Sequence, residues 1–419
     1  MEGFNLILLM IGALVLVLGL VSGLLKRVGI PAPFLAMLIG AATGPTWLNI
    51  FQPNAWGSPE LLIEEAARIT LGITLVRIAL RLPEGFIRGN WRPLALLLGL
   101  GMIAMWLTTS LLIYWIVGLP PLISLLAGAA VTPTDPVIAS SITSGKVAEE
   151  NLPKRLIHII TAESGLNDGL GYPFVLLPIL LLSMSTGKAL LHWSIQVVLL
   201  QVVVAALIGF SIGYIAGVLL KWAKRKETIE QGPLLAYIIA LALVVLSTIK
   251  LMGSDGILAV FVATIAFGIP IGGKDRSSAI KTAETVEEFF SLPIFALFGI
   301  VMPWPAWFSM GWAAVFLILA VIILRRIPVL LLVGKLTDKL HGLRESLFVG
   351  WFGPIGVGAL FYSTFALRKT GSEQVWVVAS LLLAASIVIH GLSATPLTKW
   401  FGHATTEQAD ELQAVDNTG

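Results

Sequence analysis

Thirteen apolar stretches follow one another along this chain with only short polar connections between them, at 4–25, 29–45, 60–80, 93–118, 121–143, 154–185, 189–220, 232–251, 255–272, 285–302, 307–334, 345–367 and 373–399. Most approach the roughly 20 residues that a helix needs to cross a bilayer. In lipid each backbone N–H and C=O must be satisfied within the protein, so runs of this kind form helices. The expected fold is an all-α polytopic membrane protein with 13 transmembrane helices. Composition agrees, with 57% hydrophobic and 12% charged residues and a mean hydropathy of +0.92. The first run is expected to be a retained helix rather than a signal peptide, because Glu2 and no Lys or Arg precedes it.

The basic residues orient the expected helices. Of 27 Lys and Arg, nineteen fall on the side that receives the first loop, four on the other side (Lys188, Lys250, Arg368 and Lys369), and four within spans. Positive charge accumulates in cytoplasmic loops. The expected topology is therefore a multi-pass protein of the cell membrane, surrounded by lipids, with the N-terminus outside and the C-terminus cytoplasmic. This pattern accounts for the net charge of +3, so a nucleic-acid partner is not expected. Residues 1–402 form the expected transmembrane domain and 403–419 a short polar cytoplasmic tail.

Two spans are interrupted. Span 5 carries Pro133 and Pro136 around Thr134-Asp135, and span 12 carries Gly353-Pro354-Ile355-Gly356; proline removes a backbone donor and clashes with the preceding turn. If spans 1–6 and 8–13 are two halves, the interruptions correspond. Their odd separation makes the halves an inverted repeat, and such matched breaks mark the binding site of secondary transporters.

Carboxylates at membrane depth are costly and point to function. Asp135 lies in the first break, and Asp168 follows in Glu163-Ser164-Gly165-Leu166-Asn167-Asp168 on span 6. Helical spacing puts Glu163 with Asn167, and Ser164 with Asp168, on one flank. Asp168, Asp135, Thr134 and Ser164 would offer hard oxygen ligands suited to a monovalent cation, and without Cys or a His cluster a transition-metal site is not expected. A carboxylate with an ordinary pKa of about 3.9 holds no proton near pH 7, whereas one withdrawn from water binds its proton more tightly. Such a group can take a proton or a cation in alternation, which is antiport. There is no Walker sequence to supply ATP, and no cofactor is expected.

Arg325 and Arg326 on span 11 need a membrane-depth partner, and Glu163 is the expected one, in a structural ion pair. Glu64, Glu65, Arg68 and Arg77 on span 3 have spacing suited to local pairs. His158 and His390 are expected to pack at helix ends, and the 13 Trp mainly to anchor interfaces.

Taken together, Thr134-Asp135-Pro136, Glu163 to Asp168, Arg325-Arg326-Ile327-Pro328 and His390-Gly391-Leu392-Ser393 make the chain closely resemble monovalent cation:proton antiporters of the NhaP/NHE-like branch, over nearly its whole length. The resemblance implies a core domain of helices 4–6 and 11–13, with helices 5 and 12 broken and crossed, and a scaffold of helices 1–3 and 7–10 that forms a homodimer. It implies a sodium/proton exchange activity serving pH homeostasis, with lithium and potassium as alternative ions. It also implies that Asp168 is the main ion and proton carboxylate, that Asp135, Thr134 and Ser164 complete the site, and that Arg326, aligned by Pro328, pairs with Glu163. Asn167 stands where electrogenic relatives have aspartate, implying electroneutral exchange. Ile355 departs from the Gly-Pro-Arg-Gly of many relatives, so no role of that arginine carries over.

Two other classes use similar features. An intramembrane aspartyl protease also needs two membrane aspartates, but its Gly-x-Gly-Asp context is absent here. A cation channel or sensor would need a continuous pore.

Overall fold

The computed structural model describes residues 2–226, 234–271, 273–337, 339–340 and 342–416. Every regular element among them is helical. The principal helices are α1 (Glu2–Val28), α2 (Ala32–Thr43), α3 (Pro59–Arg81), α4 (Trp91–Val117), α5 (Pro121–Ala130), α6 (Pro136–Thr143), α7 (Lys154–Ser183), α8 (Thr186–Arg225), α9 (Leu234–Leu251), α10 (Ile257–Gly268), α11 (Gly273–Ile300), α12 (Trp312–Leu324), α13 (Ile327–Gly334), α14 (Gly342–Trp351), α15 (Val357–Thr370) and α16 (Glu373–Asp416). Among the described residues six stretches are long and apolar enough to cross a membrane: within α1, α4, α7, α8, α12 with α13, and α16. Residues 417–419 of the expected tail lie outside the described residues, and before them α16 runs on as helix through Asp416 instead of ending near 402.

Small residues allow the closest helix approaches. A Cβ on Gly209 or Gly213 of α8 would strike the backbone of Ala259 or Ala263 on α10, and one on Gly40 of α2 would strike Ala296 of α11. In lipid, association rests on such packing because burial of apolar surface gives no advantage over the acyl chains.

α3 lies at the centre, against α10, α11 and α15. Its charged side chains consequently find partners on other helices. Arg77 is paired with Glu287 of α11, and Glu64 takes both arms of Arg368 at 2.8 Å. Only Glu65 and Arg68, at 2.6 Å, make the local pair that spacing suggested. A helix enclosed on all sides cannot leave its charges to its own surface, which is why the local reading fails for Glu64 and Arg77.

The two interruptions fall where the proline and glycine patterns place them. α5 ends at Ala130 and α6 begins at Pro136; α14 ends at Trp351 and α15 begins at Val357. Proline at the first position of α6 wastes no hydrogen bond. Asp135 caps that helix, its Oδ2 accepting from the Ile138 N–H at 3.1 Å. The breaks touch: the Asp135 N–H donates to the Pro354 carbonyl at 2.7 Å. The neighbouring Ile355 N–H is held by Ser386 Oγ of α16 at 2.7 Å. Freed backbone groups are thus satisfied within the protein, as membrane depth requires.

Candidate functional site

α7 runs past the point where the breaks meet and brings Asp168 to it. Asp168 is completely buried, and neither carboxylate oxygen has a hydrogen-bond partner. A Cβ placed on Gly358, in the first turn of α15, would lie 2.5 Å from Asp168 Oδ1, and one on Gly356 would strike the Asp135 carboxyl. Both aspartates therefore lie against the bare backbone of the second break. Asp135 has one oxygen engaged as the cap of α6, while its Oδ1 is buried and unpartnered. Buried polar atoms normally find partners, and here three carboxylate oxygens lie buried close together without one.

The other oxygen-bearing residues are there too, in differing roles. Thr134 and Asn167 hold each other: the Thr134 N–H donates to Asn167 Oδ1 at 3.1 Å, and Asn167 Nδ2 donates to Thr134 Oγ1 at 2.6 Å. Asn167 is thereby a brace across the first break. Ser164 Oγ donates back along α7 to the Ile160 carbonyl at 2.9 Å. The hydroxyl oxygens of Thr134 and Ser164 each keep a free lone pair beyond these bonds.

The arginines divide their work. Arg326 grips Glu163 with both arms, at 2.7 and 2.6 Å, both side chains buried, and its Nε donates to the Val349 carbonyl at 3.0 Å. Arg325, expected as an alternative partner of Glu163, is not in that pair. Its guanidinium donates to the carbonyls of Val131 and Gly353, just beyond the C-terminal ends of α5 and α14. Those ends carry the negative poles of their helices, so one cation satisfies both breaks. Arg325 and Arg326 form the two-residue turn between α12 and α13, and this turn sends one arginine to α7 and the other to the breaks.

Sequence reasoning missed several residues. Tyr362, fully buried on α15, donates to the Asp168 backbone carbonyl at 2.5 Å and lies 3.4 Å from Asp255 Oδ2. Its aromatic character among apolar neighbours read as core. Asp255, another carboxylate at depth, was hidden in the polar-looking turn Gly253-Ser254-Asp255-Gly256. Gly358 extends the glycine pattern of the second break by two residues, and that signal was available. His390 has its Nδ1 2.9 Å from Ser386 Oγ, and His158 packs edge-on to Phe86 at 5.4 Å. Among the described residues no group of three or more His, Cys, Asp or Glu could hold a metal ion.

A family model described as sodium/hydrogen exchanger, transmembrane, matches residues 12–400. A Na(+)/H(+) antiporter of Saccharomyces cerevisiae is 30% identical over 396 residues, covering 87% of this chain and 40% of its own. A Na(+)/H(+) antiporter of Schizosaccharomyces pombe is 28% identical, over 90% of this chain and 86% of its own. The K(+)/H(+) antiporter NhaP of Alkalimonas amylolytica is 26% identical over 96% of this chain and 67% of its own. The chain spans only 40% to 51% of the length of the first three curated relatives it matches. In fold it is similar to the sodium proton antiporter MjNhaP1 from Methanocaldococcus jannaschii, with a TM-score of 0.71 over 95% of this chain and 100% of that one, at 17% identity.

Proposed function

The chain belongs to the sodium/hydrogen exchanger family, and on that premise we propose that it exchanges a monovalent cation for a proton across the cell membrane. Sodium is the first choice of ion, with lithium and potassium as alternatives, since relatives are named as Na(+)/H(+) and K(+)/H(+) antiporters. The observation that carries this reading is the Asp168 carboxylate, sealed from solvent with both oxygens unpartnered at the meeting of two broken helices.

In this proposal the proton and the cation compete for Asp168. The deprotonated carboxylate takes the cation, with Asp135 Oδ1 and the hydroxyl oxygens of Thr134 and Ser164 completing its shell; the protonated one carries the proton back. An empty, charged Asp168 would be an uncompensated ion at depth, at an effective cost of several kcal/mol. Each 1.4 kcal/mol suppresses a population about tenfold, so only loaded forms cross, and the two fluxes are coupled. Asn167 adds no charge, which supports electroneutral exchange of one cation for one proton.

The architecture proposed with it is that of 13 spans in two inverted halves, helices 1–6 and 8–13, with broken helices 5 (α5 with α6) and 12 (α14 with α15) crossing. Helices 4–6 and 11–13 form a moving core, and helices 1–3 and 7–10 a scaffold and homodimer interface. The N-terminus is outside and the C-terminus cytoplasmic. The protease and the channel or sensor readings are not favoured, because the relatives are named as antiporters.

The test is reconstitution in liposomes with an acid interior and a pH-sensitive dye. Addition of sodium, lithium or potassium is expected to alkalinise the interior with at least one ion. Cation flux without proton counterflow would replace antiport with the channel reading.

A further inference from the structure

Beside the site lies a cavity of about 320 Å³, whose lining includes Tyr172, Gln201, Lys250, Asp255, Arg368 and Lys369. Asp255 is 5% exposed. Its Oδ1 accepts from the Ile257 N–H at 3.0 Å at the start of α10, and its Oδ2 lies 3.4 Å from the Tyr362 hydroxyl. That hydroxyl also bonds the backbone carbonyl of Asp168. A single phenol therefore links the cavity wall to the backbone of Asp168.

We propose that Asp255 is a second cation-binding residue, a staging site in this cavity from which a partly hydrated monovalent cation passes Tyr362 to reach Asp168. This rests on the antiport reading above. Capping alone does not account for an aspartate here, since Ser or Asn would accept from Ile257 equally well. Nor is its charge matched by a direct ion pair among the described residues. Arg68 reaches only the Asp255 backbone carbonyl, at 3.4 Å, and itself pairs with Glu65. Lys250 is engaged with Glu65 at 3.1 Å. A buried carboxylate in a cavity wall, with no cation bonded directly to it among the described residues, is arranged for a mobile cation.

Gln201 shares the cavity wall. Gln201 Oε1 is buried and unpartnered, while Gln201 Nε2 donates to the Gly253 carbonyl at 2.9 Å. The rim opposes cations: Arg368 is neutralised by Glu64, but Lys369, exposed and resting over the Phe365 ring at 5.7 Å, has no acidic partner among the described residues. Asp255 supplies the attraction that lets a cation descend past it, because charges in a low-dielectric cleft act strongly on passing ions.

The chain has no cysteine, so Gln201→Cys gives a unique label. Reaction with a membrane-impermeant thiol reagent from one face identifies the side to which the cavity opens. Exchange is then measured with sodium, lithium or potassium presented from that face. Asp255→Asn is expected to raise the apparent cation KM about tenfold while kcat changes less than twofold, with Asp255→Glu restoring most of the affinity. Lys369→Gln, a surface change that leaves folding intact, is expected to lower the same KM. Wild-type KM in both Asp255→Asn and Lys369→Gln, or in Lys369→Gln alone where Asp255→Asn does not fold, overturns the staging site and leaves antiport standing. A wild-type protein that exchanges no cation overturns both.

Discussion

Asn167 and Thr134 bind one another twice, the amide oxygen to the Thr134 N–H and the amide nitrogen to its hydroxyl, at 3.1 and 2.6 Å. Both halves of the Asn167 side chain are thereby used to hold the first break against α7. Asn167→Asp keeps the acceptor for the N–H, and the Thr134 hydroxyl can rotate to donate to the second oxygen, so the fold is expected to survive. The variant places a further negative charge in the site. Exchange that ignores an imposed membrane potential in the wild type is expected to respond to it in Asn167→Asp, as read by valinomycin-clamped liposomes.

The Glu163–Arg326 pair lies at depth with both partners almost unexposed. Breaking one side of such a pair strands the other charge, at a cost of about 3–5 kcal/mol. Arg326→Met is expected to lower the melting temperature in detergent sharply, and Glu163→Gln to do so less, because the amide still accepts from the guanidinium. Asp168→Asn is expected to leave it unchanged or raise it, since it removes an unpaired buried charge. The three melting curves check this order.

Arg325 holds the carbonyls of Val131 and Gly353 together. Each bond from a charged donor contributes about 1.5–3 kcal/mol. Arg325→Met is expected to destabilise by that order and to abolish exchange. Arg325→Lys, whose compact ammonium is no planar fork, is expected to recover stability in part, measured in the same melts and flux assays.

Gly358 has no room for a methyl group, its Cβ position lying 2.5 Å from Asp168 Oδ1. Gly358→Ala is expected to cost about 1–3 kcal/mol of strain. Displacing the carboxylate is expected to reduce exchange at least about tenfold, with the cation KM raised. Unchanged kinetics would mean that the second break does not shape the site.

Much of this was legible in the sequence because the features are local. Pro133, Pro136 and Gly353-Pro354 announce the breaks by backbone chemistry alone, and Asp135 and Asp168 stand out because charge at depth is rare. The division of Arg325 from Arg326 was not legible, since both residues satisfy every local rule and only the turn between α12 and α13, set against three other helices, separates them. Tyr362 and Asp255 were missed for a related reason: their chemistry lies in reaching across between α15 and the turn before α10, contacts 107 residues apart in sequence. Glu64 and Arg368, 304 residues apart, show the same limit.

If proton and cation share Asp168, binding of one must release the other. Purified protein in weakly buffered detergent, at a pH where the site is protonated, is titrated with the transported cation while released protons are counted. Release approaching one proton per cation bound in the wild type, and neither binding nor release in Asp168→Asn, is the predicted result. Cation binding that persists in Asp168→Asn with the same proton release would contradict it.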